Sequence, residues 1–171
     1  LKEGKILMYK KMGFVVALIA LAADLATKWM VLGIIMQPPK VIQISSFFSL
    51  NLGFNRGISF GLLSSPHFAT PYLLSTFALI VVLFLVTQLW RGTSKIEAIG
   101  IGAIVGGATA NVIDRLVDGT VTDFLDFQIY SYHWPTFNVP DTAIFSGVVL
   151  FIVASIFDNK RSSGQTEPAE N

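Results

Sequence analysis

Four long apolar stretches dominate the chain, at about 13–36, 70–90, 96–113 and 139–157, with polar breaks between them. Crossing a bilayer as a helix takes about 20 mostly apolar residues, so each stretch predicts a membrane span. The second is the cleanest, with no charge across Leu73–Leu89. The first has a competing reading. Lys10 and Lys11, an apolar run and then Leu21-Ala22-Ala23 resemble the layout of a cleavable signal peptide. The run continues past Asp24 to Met36, however, and three more spans follow, which favours a retained helix. Met8 reads as a natural start.

The segments between spans one and two and between spans three and four are not plain loops. Val41–Leu52 alternates loosely and is rich in Ile, Phe and Ser, and Thr120–Tyr132 is rich in β-branched and aromatic residues. Both patterns predict strands, hence a small sheet lying on one membrane surface. A short helix is expected over Ser59–Ser64. Phe47, Phe48, Tyr130, Tyr132 and Trp134 are expected at headgroup level, where amphipathic rings concentrate. The tail from Asp158 is polar and reads as disordered. Residues 1–157 are thus expected to form one integral-membrane domain and 158–171 a polar tail.

Composition agrees with a membrane protein. Of 171 residues, 53% are apolar and 13% charged, and the mean hydropathy is +0.63. Soluble domains carry about a quarter charged residues. The formal net charge of +1 is too small for nucleic-acid binding by counterion release. The absence of Cys excludes disulfides, thiol nucleophiles and Cys-ligated metals, and two His argue against a His-rich metal site. Basic residues set an orientation. Four spans put Lys2, Lys5, Lys10, Lys11, Arg91, Lys95, Lys160 and Arg161 on one side, against Lys40, Arg56 and Arg115 on the other. Both termini are therefore expected in the cytoplasm, and 37–69 and 114–138 outside.

Ionisable groups in or beside a span are costly and need a partner or a function. Asp24 and Lys28 are four apart on one helical face, able to pair. A structural ion pair and a catalytic role both fit them. Ala98, Gly102, Gly106 and Ala110 form a small-residue stripe on the third span, suited to close helix packing. Gly106-Gly107 lacks the Lys-Ser/Thr of a phosphate loop. Arg115 suits a clamp on carbonyls or a lipid phosphate, and equally an interface anchor. The outer segments concentrate carboxylates, Asp114, Asp118, Asp123, Asp126 and Asp141. Solvation is the default reading for each, and Asp126 is expected to face solvent. Asp123, set in an apolar strand-like stretch, and Asp141, opening the fourth helix behind Asn138 and Pro140, stand apart. Asn138 suits an N-cap and Pro140 a first helical turn. Two carboxyls held close share a proton, so one can accept a proton from water while the other donates to a carbonyl oxygen. Spacing alone leaves that a weak signal.

Five ordered motifs sharpen it: Asp24-Leu-Ala-Thr-Lys28, Asn55-Arg-Gly57-Ile-Ser-Phe60-Gly61, Gly106-Gly-Ala-Thr-Ala-Asn111-Val-Ile-Asp114-Arg115, Gly119-Thr-Val-Thr-Asp123-Phe124 and Trp134-Pro-Thr-Phe137-Asn138-Val-Pro-Asp141. With these the chain resembles the bacterial lipoprotein signal peptidases, or signal peptidase II, from about Lys10 to Phe157. Pro140 departs from the family pattern, where a small residue, often Ala, is usual. The resemblance implies an all-α polytopic membrane fold of four transmembrane helices with an outer-face β-cradle and a short periplasmic helix. It implies an inner-membrane aspartic endopeptidase that needs no metal or organic cofactor. The substrate would be a prolipoprotein, cut just before its diacylglyceryl-modified Cys. Asp123 and Asp141 match the family's catalytic pair. Asn55, Asn111, Arg115 and Asn138 match its polar substrate-binding surroundings, with Asp24 and Lys28 in support, and Gly57 with Ser59–Gly61 is expected to form a mobile outer segment that clasps substrate. Membrane lipids and globomycin-type cyclic peptide inhibitors are the further implied partners. The substrate's apolar helix is expected to dock along the small-residue stripe. A small four-span transporter or channel subunit is the rival reading, weakened by the lack of an internal repeat and by carboxylates gathered at one face.

Overall fold

The third apolar stretch organises the bundle, because it offers glycine on two faces. The computed structural model describes residues 2–57, 67–130 and 132–163. Its helices are α1 (Lys2–Met30), continued by a π-helical turn at Val31–Ile35, α2 (Thr70–Arg91), α3 (Lys95–Asp118) and α4 (Val139–Ser163). All four are long and apolar enough to cross a membrane. Within the apolar window of α3, 67% of residues are buried, against 22%, 22% and 17% in α1, α2 and α4.

Gly102 and Gly106 of α3 lie against the backbone of α1 at Gly13 and Ala17, so close that a Cβ on either would clash with a carbonyl oxygen. Gly100 and Gly107 do the same toward α4, where a Cβ would come within 2.8 Å of the Gly147 oxygen and 2.6 Å of the Pro140 oxygen. The stripe expected to receive a substrate helix is therefore filled by α1. A second glycine face, unread in the sequence, packs α4. The helix α2 joins through Leu85 and Leu89, buried against Ala98, Ile101 and Ile104. A capping box starts α3, with Ser94 Oγ accepting from the Glu97 N–H and Glu97 Oε2 from the Ser94 N–H. Gly119, at φ 73°, stops it in the left-handed conformation that glycine tolerates.

The two outer segments form one antiparallel sheet in the order β1 (Ile42–Ser45), β2 (Phe48–Asn55), β3 (Val121–Ile129) and β4 (Tyr132–His133). The stretch 41–52, read as strand, thus contains a turn, and β2 runs on to Asn55. Pairing of β2 with β3 sets Leu50 opposite Leu125 and, past an irregularity, Gly53 opposite Asp123. The sheet rests on the end of α1, where Phe124 is buried with Val31 and Met36, and Leu50 and Val139 pack alongside. Because both segments share this sheet, they lie at one end of the bundle.

Several expectations need correction. The last span lies at Val139–Phe157 as expected, but the helices outrun the spans: α1 starts at Lys2, and α4 runs on to Ser163, into the tail from Asp158 read as disordered. Phe48 is half-buried, its ring tilted against exposed Phe127 at 4.8 Å, and Phe127 stacks on Phe137 at 5.8 Å. Phe47, Tyr130, Tyr132 and Trp134 are exposed. Asp126 does not face solvent: it is 1% exposed, held by side chains of β2 and β4. The short helix expected over Ser59–Ser64 and the Ser59–Gly61 part of the clasping segment lie outside the described residues, as do residues 164–171.

Candidate active site

Asp123 and Asp141 approach each other through two carboxamides. Asp123 stands on β3, 2% exposed, and Asp141 on the first turn of α4. Asn138 precedes α4 and caps it, its Oδ1 accepting from the Asp141 N–H at 2.9 Å. Its Nδ2 donates to Asp123 Oδ1 at 2.8 Å and lies 3.2 Å from Asn111 Oδ1. Asn111 Nδ2, from α3, donates to Asp141 Oδ1 at 2.9 Å. The line Asp123–Asn138–Asn111–Asp141 leaves each carboxylate with an outer oxygen not used in this bridge. The cap that starts α4 thus also fixes the spacing of the two acids.

Asn55 and Gly57 close the other side. Asn55 ends β2 and hydrogen-bonds Asp123. Its Oδ1 accepts from the Gly57 N–H at 2.8 Å. The Gly57 carbonyl accepts from Arg115 Nη2 at 2.7 Å, and Arg115 Nη1 reaches the Asn111 carbonyl at 3.3 Å. Burial, followed by the negative charge of Asp141, pushes the Asp123 carboxyl from 3.8 up to about 7, with the Asn55 hydrogen bond opposing. Asp123 therefore keeps its proton far into the range where an ordinary carboxyl has lost it.

Asp24 and Lys28 pair as their spacing predicts, Lys28 Nζ lying 2.7 Å from the Asp24 carboxylate. They are not alone. Asp114 of α3 sits 2.6 Å from the same ammonium and is buried, where solvation had been the default reading. Asp114 Oδ2 also accepts from the Thr122 N–H at 3.2 Å. The triad thus ties α1 to α3 and pins β3 one residue before Asp123. Helical phase carried the missed signal: Asp114 is three residues after Asn111, on the face that looks toward the sheet. Also unread in the sequence was the cluster of Asp126 with Ser49 and His133. Among the described residues, no group of three or more His, Cys, Asp or Glu is placed to hold a metal ion.

An apolar groove of about 610 Å³ opens beside Asp141, walled by Trp134, Pro135, Thr136, Phe137, Thr142 and Phe145. Asp141 lines this groove, and Asp123 stands behind it through the carboxamide bridge, an arrangement that suits hydrolysis of a bond presented by an apolar ligand. Residues 16–157 match the family model described as signal peptidase (SPase) II. The chain belongs to the signal peptidase II family. A lipoprotein signal peptidase of Francisella tularensis subsp. novicida is 40% identical over 152 residues, covering 87% of this chain and 94% of the relative. One from Rhodopseudomonas palustris is 38% identical over 151 residues, covering 85% and 92%. A bacterial membrane enzyme solved by the in meso method at 1.9 Å is similar at TM-score 0.71 and 25% identity, covering 84% of this chain and 92% of that one. Another, at 2.3 Å, shares the fold at TM-score 0.73 and 23% identity, covering 94% of each. With four spanning-length helices, this signal peptidase II family member is a multi-pass bacterial membrane protein. Nothing in these likenesses supports a transporter.

Proposed function

We propose that this chain is a membrane aspartic endopeptidase that removes the signal peptide from diacylglyceryl-modified prolipoproteins, cutting just before the lipidated Cys. The bridged pair of acids, one of which, Asp141, opens onto an apolar groove, carries the reading. Asp141 lies at the N-terminus of α4, where the helix dipole favours negative charge, and is the ionised partner. Asp123, whose carboxyl is pushed up to about 7, holds the proton. Asp141 takes a proton from water as its oxygen adds to the scissile carbonyl, while Asp123 protonates the carbonyl oxygen. The resulting diol collapses: the C–N bond breaks, Asp141 gives its proton to the leaving nitrogen, and a diol hydroxyl reprotonates Asp123. Asn55, Asn111, Asn138 and Arg115 hold the acids and the peptide backbone, with Gly57 positioning Arg115. Asp24 and Lys28 act through Asp114 on the strand that carries Asp123.

Residues 1–157 are read as one peptidase domain. The bias of Lys and Arg supports cytoplasmic termini, with the sheet and the acids at the outer face of the inner membrane. A lipid-modified substrate stays in the bilayer, which brings the scissile bond to that face. The test is cleavage by the purified full chain of a diacylglyceryl-modified prolipoprotein, beside the same precursor without the lipid, read by product mass. Cleavage of the lipidated form alone, before the modified Cys, is expected. Equal cleavage of both, or of neither, contradicts the proposal.

A further inference from the structure

The catalytic reading leaves one buried carboxylate without a role. Asp126 is 1% exposed, yet it accepts from Ser49 Oγ at 3.2 Å, and His133 Nδ1 stands 3.0 Å from both of its oxygens. A carboxylate only accepts, so Nδ1 is the donor. We infer that Asp126 and His133 are positioning residues for the groove wall, setting how tightly an apolar peptide segment is held beside Asp141. The inference rests on the proposed peptidase reading.

The wall is the segment that follows His133. Trp134 N–H donates to the Phe127 carbonyl at 2.7 Å, and Phe137 N–H donates to the Leu125 carbonyl at 3.0 Å. Asp126 lies between these two anchoring residues of β3. Between the two wall anchors stands Pro135, which has no N–H to give to the strand. The Asp126–His133 pair therefore clamps the wall at its entrance, one residue before Trp134. His133 is 54% exposed, so it adds little to global stability. Its effect falls on the local placement of Trp134 and Phe137, which line the groove.

Steady-state kinetics of the full chain on a lipidated precursor test this. His133→Ala should raise KM about fivefold with kcat within about twofold of the parent, as loss of binding without loss of chemistry requires. His133→Gln keeps a side-chain donor and should recover most of the lost affinity. Asp126→Ala, which removes the acceptor, should raise KM similarly, and combining it with His133→Ala should add little, because one interaction is removed twice. A fall in kcat at unchanged KM, no recovery with Gln, or multiplying effects in the double variant would overturn the inference. A readout independent of cleavage separates it from the peptidase reading. With Trp29→Phe and Trp90→Phe, Trp134 is the one remaining tryptophan. Its emission should move to longer wavelength on His133→Ala and return with His133→Gln. Unmoved emission also overturns the inference, whereas failure of the unaltered chain to cleave counts against the peptidase itself.

Discussion

Asp123→Asn should make this protein more stable above neutrality, although it removes a proposed catalytic group. Burial and the neighbouring Asp141 charge move the Asp123 carboxyl from 3.8 to about 7. At about 1.4 kcal/mol per pH unit, ionised Asp123 is on the order of 4 kcal/mol more costly in the fold than in the unfolded chain. The sign follows from proton binding. Between pH 3.8 and about 7 the unfolded chain releases this proton while the folded chain keeps it. The contribution of Asp123 to stability therefore falls as pH rises through that window and is level above it. Asparagine resembles the protonated acid in shape, and its oxygen can still accept from Asn138. The variant's stability relative to the parent should thus grow from pH about 4 to about 8, by at least about 2 kcal/mol once water entering the groove is allowed for. Unfolding midpoints of both proteins in one detergent across that range measure it. Parallel curves, or a gap widening toward acid, would refute the electrostatic description of the site.

The remaining predictions concern the scaffold. Lys28→Met leaves Asp24 and Asp114 buried without their shared cation and should cost about 3–5 kcal/mol in detergent unfolding; adding Asp24→Asn and Asp114→Asn should restore most of that. Gly102→Ala drives a methyl group into the α1 backbone and should cost about 1–3 kcal/mol, whereas Gly4→Ala, where a Cβ meets nothing within 4 Å, should be neutral or slightly stabilising. Asn138→Ala removes the α4 cap, worth about 1 kcal/mol, and releases Asp123 from the bridge, so kcat should fall at least about tenfold, more than that stability loss explains.

The spans were legible because apolar runs of this length have few other uses, and Asp24 with Lys28 because helical spacing is a local fact. The strands showed in their β-branched and aromatic residues. The turn at residues 46 and 47 did not show, because Phe47 and Phe48 extend the apolar pattern across it. Motif resemblance, rather than spacing, singled out Asp123 and Asp141, and the structure brings them together with Asn55, Gly57, Asn111, Arg115 and Asn138. What stayed hidden were partnerships between distant segments. Nothing local to Asp114 shows that Lys28 awaits it from 86 residues away. Likewise, Asp126 between Leu125 and Phe127 of β3 reads as solvated until Ser49 of β2 and His133 of β4 are laid against it. The stripe at Ala98–Ala110 was read correctly as a packing face, but its occupant was not, because a glycine face does not say which helix fills it.

The most direct test compares the unaltered chain with Asp123→Asn and Asp141→Asn on a diacylglyceryl-modified prolipoprotein, each protein first checked for insertion and folding, with product mass as the readout. The unaltered chain should release the signal peptide, and neither folded variant should release any above background. Full turnover by either variant would contradict a pair of aspartates acting together on the scissile bond.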